Sequence, residues 1–425
     1  MIYLVSMYYP PENNPPAHRM DYFAETLAGS IGRDSFRVVT GRPNYPTGKL
    51  ARGFRFRLWK KTMGQHGEQV QHLYEFPAVF KGLYRKTLGM VSFAGFLFMY
   101  LVFRRYKSND LVFVTSGPGF NILAVYYASI LRPSLRYVLD IRDLWPEGVA
   151  GMGFMKESGR AYRFLKRSVD KAYLKAERVV GNSEGIVESI SKTLDPSLVD
   201  LVHNPIRIDR FMPLDDSLLA DYRTKRFDLF DGRVTLTFTG TFAFYIDLPI
   251  FMDALNLLDQ KSKEKLHVIL LGDGEERINV TSLISRYGLE QAVTILPFTN
   301  DRSELVSLIQ ASDFCFASLK DTPTLRYAIP TKILEYSACG KPIIAALSGP
   351  FSEVLKNQKA AHVVPPGDPI ALAEVLTKLI KNPDDYRQTG ANARALILSE
   401  FSPAAVAKLF LNTLAKVSIS SEPSS

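Results

Sequence analysis

Short apolar segments of about five residues recur along this chain, and a helical pattern follows nearly every one. Segments that are apolar at consecutive positions are buried on both faces. With helices between them they build a parallel sheet covered on both sides. In the first half the pattern predicts strands 2–6, 36–40, 110–115, 136–140 and 177–181, and helices 17–30, 84–104, 119–131, 157–175 and 184–192. Met20, Phe23 and Leu27 fall at helical spacing in the first of these helices. This unit spans residues 1–205. A polar stretch rich in Arg and Asp, 206–231, reads as a linker carrying one helix. The alternation restarts over 232–400, with strands 234–239, 266–271, 292–296, 312–317, 341–346 and 360–363. Helices are expected at 247–258, 280–287, 302–310, 331–338, 350–356 and 368–380. Ser402-Pro403 are a good N-cap and N1 pair for a last helix, 401–418, and 419–425 reads as a disordered tail. The expected fold class is α/β, two doubly wound Rossmann-like domains in series. Ligands of such sheets bind at the carboxyl ends of the strands, and two facing sheets put a cleft between them.

A chain of 425 residues that is 46% hydrophobic and 22% charged is not disordered, collagen-like or disulfide-stapled. The absence of a run of about 20 uncharged apolar residues excludes a polytopic membrane protein. Two distant cysteines in apolar patterns, Cys315 and Cys339, suit a reducing compartment. The opening MIYLVSMYYPPE has no basic n-region and reads as a first strand, not a signal peptide.

Charge is uneven. Residues 1–230 hold 33 Lys and Arg against 22 Asp and Glu, and residues 49–107 alone hold 12 against 2. Such a basic half suits an anionic partner, nucleic acid or membrane. Phe54, Phe56, Leu58 and Trp59 alternate with Arg55, Arg57, Lys60 and Lys61, but no nucleic-acid-binding motif accompanies them. Residues 87–103 are seventeen uncharged residues flanked by Lys81, Arg85, Lys86, Arg104, Arg105 and Lys107. Strands on both sides of this segment belong to one sheet, so it does not span a bilayer. It is either a fully buried helix or, as the flanking cations favour, a helix lying in the membrane surface.

The loops after strands carry the candidate chemistry. In RYAIPTKILEYSACGKPI (326–343), Thr331 is a possible N-cap, and Lys332 and Glu335 share a helix face. A helix N-terminus beside an ammonium suits a diphosphate, and a carboxylate one turn later suits a vicinal diol. The alternative is an exposed helix with an i,i+3 ion pair. DIRDLWPEG (140–148) crowds Arg142, Asp143 and Glu147 at a strand's end, as an active site or as a salt-bridged loop. The first loop, YYPPENNPPAHR (8–19), sets Glu12, Asn13 and Asn14 between prolines. Gly117, Gly240-Thr241, Gly272 and Gly274 allow close backbone approach to phosphate or sugar. No G-x-G-x-x-G, Walker loop, HExxH or G-x-S-x-G occurs. His267 reads as a core histidine and Asp384-Asp385 as a turn; no metal site is expected.

Taken together, YYPPE, TGRPNYPTG (40–48), IRDLWPE (141–147), GNSEGI (181–186), HNPIRIDRF (203–211), LLGDGEER (270–277), PTKILEYSACGKPII (330–344) and VVPPGDP (363–369) resemble the GT-B glycosyltransferases of family four. The likeness is strongest to a bacterial subgroup that transfers amino sugars such as N-acetylfucosamine in surface-polysaccharide assembly. It implies a retaining transfer from a nucleotide-sugar, UDP-linked, to a polyprenyl-diphosphate-linked saccharide. It also implies metal independence, no cofactor, and a peripheral place on the cytoplasmic face of the inner membrane.

By position, Glu335 matches the glutamate that holds the ribose, and Tyr327 stands where the family has a glutamate on the donor sugar. The family's Arg and Lys for the diphosphate are missing from GTFAFYIDLP, leaving Lys332 and Arg326 to supply charge. The resemblance gives the donor side Glu335, Tyr327, Arg326, Thr331, Gly240, Thr241, Gly272 and Phe298, and the catalytic set Lys332, Asp143 and Arg142. Glu12, Asn13, Asn14 and Gly117 go to the acceptor side. The departures also admit a silent GT-B binding protein or a sugar-nucleotide epimerase.

Overall fold

The computed structural model describes all residues except 45–47, 52, 55–56, 78–82, 152, 300, 324 and 420–425. The expectations placed on Arg55, Phe56, Lys81 and the tail beyond 419 lie outside these residues, as do the side chains of Arg85 and Lys86. The chain forms two compact units, Met1–Pro205 with Val406–Ser425, and Ile206–Ala405.

The first unit holds eight strands: β1 Ile2–Val5, β2 Phe36–Thr40, β3 Trp59–Met63, β4 Gln69–Leu73, β5 Leu111–Thr115, β6 Tyr137–Ile141, β7 Arg178–Gly181 and β8 Val199–Leu201. Their order is β3-β4-β2-β1-β5-β6-β7-β8, and only β3 and β4 pair antiparallel. The strand order reverses between β1 and β5, where the loops after those strands diverge. Leu4 lies opposite Val38 and Phe113, and Phe113 opposite Val138, so these side chains share one face. Phe23 of the helix Pro15–Ile31 covers them. Phe410 stacks on Phe23 with ring centroids 4.1 Å apart and meets Phe113 edge-on at 5.2 Å. Val406, Phe410, Leu414 and Val417, spaced three and four residues apart in the helix Pro403–Ile419, thus complete this core.

The periodicity missed β3, β4 and β8. WKKTM and QVQHL are polar at three of five positions each, and β3 is an edge strand whose side chains are exposed at every other position. The helix Leu83–Phe103 is neither fully buried nor free. Phe93, Leu97 and Leu101 are buried, and Phe96 packs between Trp59 and Tyr74. Val91, Met99 and Phe103 are exposed, Phe103 at 78%.

The second unit has six parallel strands: β9 Val234–Thr239, β10 Leu266–Leu271, β11 Val293–Leu296, β12 Phe314–Ser318, β13 Ile343–Ala346 and β14 His362–Val364. Their order is β11-β10-β9-β12-β13-β14, so this sheet reverses between β9 and β12. The stretch 206–231, expected as a linker, lies within this unit. Ile206, Ile208 and Phe211 enter the main core, and Leu229 packs with Ile269, Leu271 and Leu308. Its apolar residues are few, but each is an anchor. His267 is buried and bonded at both ring nitrogens, Nδ1 to the Leu229 carbonyl and Nε2 to Thr294 Oγ1, each at 2.8 Å. Both cysteines are buried and free.

Candidate active site

Backbone crossings at the carboxyl edge of the second sheet depend on glycine. Gly240, just past β9, has φ +116°, and its N–H donates to the Leu271 carbonyl at 2.8 Å. A Cβ on Gly272 would stand 1.9 Å from the Gly240 carbonyl oxygen, and one on Gly274 would stand 2.5 Å from that of Phe242. The loops after β9 and β10 therefore touch backbone to backbone, which only glycine permits.

The helix Thr331–Ala338 meets this crossing. Tyr336 is fully buried; its hydroxyl accepts the Thr239 N–H at 2.9 Å and lies 3.1 Å from Thr239 Oγ1. That pair ties the helix to the end of β9. The N-cap is Pro330, not Thr331, and no side chain caps the first turn. The Ile333 N–H donates to the Pro330 carbonyl at 3.0 Å, no side chain takes the N–H groups of Thr331 and Lys332, and Thr331 is exposed.

Lys332 lies over Gly240. A Cβ there would come within 2.8 Å of its Cε and 3.1 Å of its Nζ. The ammonium sits 5.0 Å from the centroid of the Phe238 ring. Among the described residues, neither Lys332 nor Glu335 forms a hydrogen bond or an ion pair with any side chain, so the i,i+3 pair is not made. Both are half-buried. Burial lowers the Lys332 pKa against the opposing charge of Glu335. Burial raises that of Glu335, opposed first by Arg302 and then by Lys332. Arg302, at the start of the helix Arg302–Ala311, had no motif to mark it in the sequence.

Arg326 is exposed and held in two bonds to Asp321, at 2.7 and 2.8 Å; this holds the Asp321 carboxyl down to about 2. Its charge is thereby committed to Asp321. Tyr327 ends the short turn Leu325–Tyr327 and is half-buried. Thr241 is exposed, as is Phe298 at 58%. A cavity of about 670 Å³, lined in part by Arg223, Asp313 and Lys341, lies at the opposite edge, by the amino ends of β9, β12 and β13.

The first sheet's carboxyl edge is a bonded network. Arg19, 2% exposed, donates to Asp140 at 2.7 and 3.1 Å and to the carbonyls of Val202 and His203. Arg42 donates to the Glu75 carbonyl at 2.6 Å, and Asn44 Nδ2 to Glu75 Oε1 at 2.8 Å. Burial raises the Glu75 pKa well above the usual carboxylate range. Glu12 is buried and accepts the Asn44 N–H at 2.9 Å, so it secures a loop. Asn14 caps the helix Pro15–Ile31 through the Ala17 N–H, and Asn13 meets His18 at 2.6 Å. Within 140–148, Asp140 is spent on Arg19 and Glu147 pairs with Lys166 at 3.0 Å. Asp143 is exposed, and Arg142 lies beside Gly117, its Nη1 3.5 Å from where a Cβ on that glycine would stand.

Comparison with known proteins places this geometry. Residues 223–396 match the family model described as Glycosyl transferases group 1. The chain is 23% identical over 344 residues to the probable glycosyltransferase WbjE of Pseudomonas aeruginosa, covering 78% of this chain and 81% of that one. The amylovoran biosynthesis glycosyltransferase AmsK of Erwinia amylovora is 24% identical over 155 residues, 36% of this chain and 38% of its own. Among solved structures, Anabaena Alr3699/HepE in complex with UDP superposes with a TM-score of 0.69 at 17% identity, over 97% of this chain and 99% of that one. Two largely parallel α/β units with this likeness along the chain are a GT-B fold. The matched domain and the relatives give the enzyme class: the protein is a glycosyltransferase.

Proposed function

We propose that this glycosyltransferase, of family four, moves a sugar from a UDP-linked donor, with retention at the anomeric carbon, onto a lipid-linked saccharide in surface-polysaccharide assembly. One observation carries the donor reading. Lys332 and Glu335 lie one turn apart at an uncapped helix start, half-buried, with no internal bonds and with a glycine crossing beneath them. Half-buried charges without internal partners suit a ligand that supplies the partners. Lys332, the first-turn N–H groups and the backbone near Gly240 would stabilise the leaving diphosphate, so a metal is not required. Glu335 would accept two hydrogen bonds from the ribose. Supporting the donor class, Anabaena Alr3699/HepE has been solved with UDP and with UDP-glucose. The resemblance to transferases of N-acetylated amino sugars favours such a sugar here.

The acceptor reading rests on the amylovoran biosynthesis relative and on the first unit's surface. The exposed stripe of the helix Leu83–Phe103 is apolar at Val91, Met99 and Phe103, and basic residues follow it. Such a stripe suits the anionic cytoplasmic face of an inner membrane, where a lipid-linked acceptor is confined.

Glu335→Ala is expected to weaken UDP binding by about 1–3 kcal/mol, read by calorimetry, because the ribose hydroxyls lose their acceptor. Unchanged affinity would remove Glu335 from the site. Incubation with labelled UDP-sugars and a polyprenyl-diphosphate sugar tests the reaction itself. Acceptor-dependent UDP release supports transfer; acceptor-independent product would point to an epimerase.

A further inference from the structure

The network at the first sheet's carboxyl edge leaves out the guanidinium of Arg142. Its backbone N–H is anchored on Ser116 Oγ at 2.9 Å, directly after β6. Its side chain is different. Nε is buried without a partner, and among the described residues the guanidinium makes no hydrogen bond or ion pair. Burial, and then the like charge of Arg19, work against the charged form, opposed in part by the charges of Asp140 and Asp143. Of these two acids, Asp140 already accepts two bonds from Arg19, and Asp143 is exposed. Beside it the Trp145 ring lies over Gly119, whose Cβ would stand 2.3 Å from the indole, and meets Phe120 edge-on at 5.2 Å. Two more orphaned polar atoms stand on neighbouring elements, Thr115 Oγ1 and Asn121 Oδ1, with Asn121 Nδ2 bonded to the Thr115 carbonyl.

A half-buried cation whose nearby acids make no bond to it destabilises the ligand-free fold. Such a group is kept in place when a ligand brings the counter-charge. The planar fork of arginine matches the paired oxygens of a phosphate or carboxylate. We propose that Arg142 is an oxyanion subsite for the acceptor. Its fork takes two oxygens of a phosphate or carboxylate borne by the acceptor, next to the flat face of Trp145. The protein then discriminates against neutral acceptors through this one contact. The inference rests on the glycosyltransfer reading above. The oxyanion has two sources, the diphosphate that joins a saccharide to its lipid and the carboxylate of an acidic sugar.

Calorimetry on the full chain, with UDP present at saturation to fill the donor side, separates them. The probes are farnesyl diphosphate and methyl glucuronate. One of the two is expected to bind the parent protein. Arg142→Gln should weaken that probe at least tenfold, Arg142→Lys should weaken it less, and both should keep UDP affinity within about twofold. The binding probe names the source. Unchanged probe affinity in Arg142→Gln, or no binding of either probe to the parent, overturns the proposal. Loss of UDP affinity in Arg142→Gln also overturns it, because the guanidinium would then serve the donor. A parent that binds no UDP removes the donor reading and this inference with it. A second readout needs no ligand: Arg142→Met should raise the thermal midpoint, by about 2–4 °C. A fall would show that the guanidinium is bonded within the fold, and would sink the idea.

Discussion

At the first sheet's carboxyl edge, Arg19 and Asp140, Arg42 and Glu75, Asn44 and Glu12 bond to one another. At the second sheet's edge, Lys332 and Glu335 sit on one helical turn and bond to nothing among the described residues. Both edges end a doubly wound sheet, so topology alone does not explain the difference. A polar group bonded inside the protein fixes the shape of a loop. A polar group left unbonded is held ready for a ligand, at a cost in stability. The first edge reads as a frame that leaves the Arg142 guanidinium out, and the second as an edge left open with Tyr336 as its anchor.

This contrast can be broken most sharply at Asp140. Asp140→Ala strands the buried Arg19 charge and should cost about 3–5 kcal/mol in urea unfolding. A cost below about 1 kcal/mol would mean the first edge is no frame. Next in size is Lys332→Met, which should lose about 1.5–3 kcal/mol of binding to UDP and almost none to uridine. Equal losses for the two would place the ammonium away from the diphosphate. Global stability should hold or rise in this variant, the opposite of Asp140→Ala.

The same two groups set a pH signature. Glu335 is raised by burial, so it protonates above the usual range and, in the proposed role, would stop accepting from the ribose as pH falls. Lys332 is lowered by burial, so its ammonium is lost below the usual lysine range as pH rises. UDP affinity should therefore follow a bell, and Glu335→Gln should remove its acid limb. Folded Glu335 holds a proton that the unfolded chain has released, so stability falls as pH rises through that window. Unfolded chains hold the Lys332 proton longer, so stability rises with pH between its lowered value and the ordinary one. Urea midpoints of Glu335→Gln that keep the parent's slope at acid pH would remove that assignment. The smallest effect on stability belongs to the first unit's surface. Val91→Glu with Met99→Glu should change unfolding free energy by less than about 0.5 kcal/mol per site yet abolish co-sedimentation with anionic vesicles. Phe96 and Leu97 are unsuitable for that test, because they pack inside.

Consecutive apolar residues made most of the sheet legible. LVFVT, LHVILL and FCFAS read as buried strands and are strands. The edge hairpin Trp59–Met63 and Gln69–Leu73 was not legible, because an exposed edge carries lysines and glutamine where a buried strand carries valine. The stretch 206–231 looked like a linker because polarity dominates its average, while burial depends on single residues such as Phe211 and Leu229. At the site, spacing placed Lys332 and Glu335 on one face, and motif resemblance singled out Arg142. Spacing could not show that Glu12, Asn14 Oδ1 and Arg326 are bonded within the protein. Those bonds join residues to partners such as Asn44 and Asp321, a choice made by loop paths that no periodicity encodes.

Phe410 stacks on Phe23 and meets Phe113 in the first unit's core, although about 290 residues of chain separate it from the nearer of the two. A ribosome delivers domains amino end first. Here the unit that emerges first is the one finished last, because Val406, Phe410, Leu414 and Val417 leave the tunnel after the entire second unit. The nascent first sheet therefore waits with an apolar face open while the whole second unit is made. Losing a few carboxyl-terminal turns would damage the amino-terminal half and leave the intervening 206–405 unit with its own core whole.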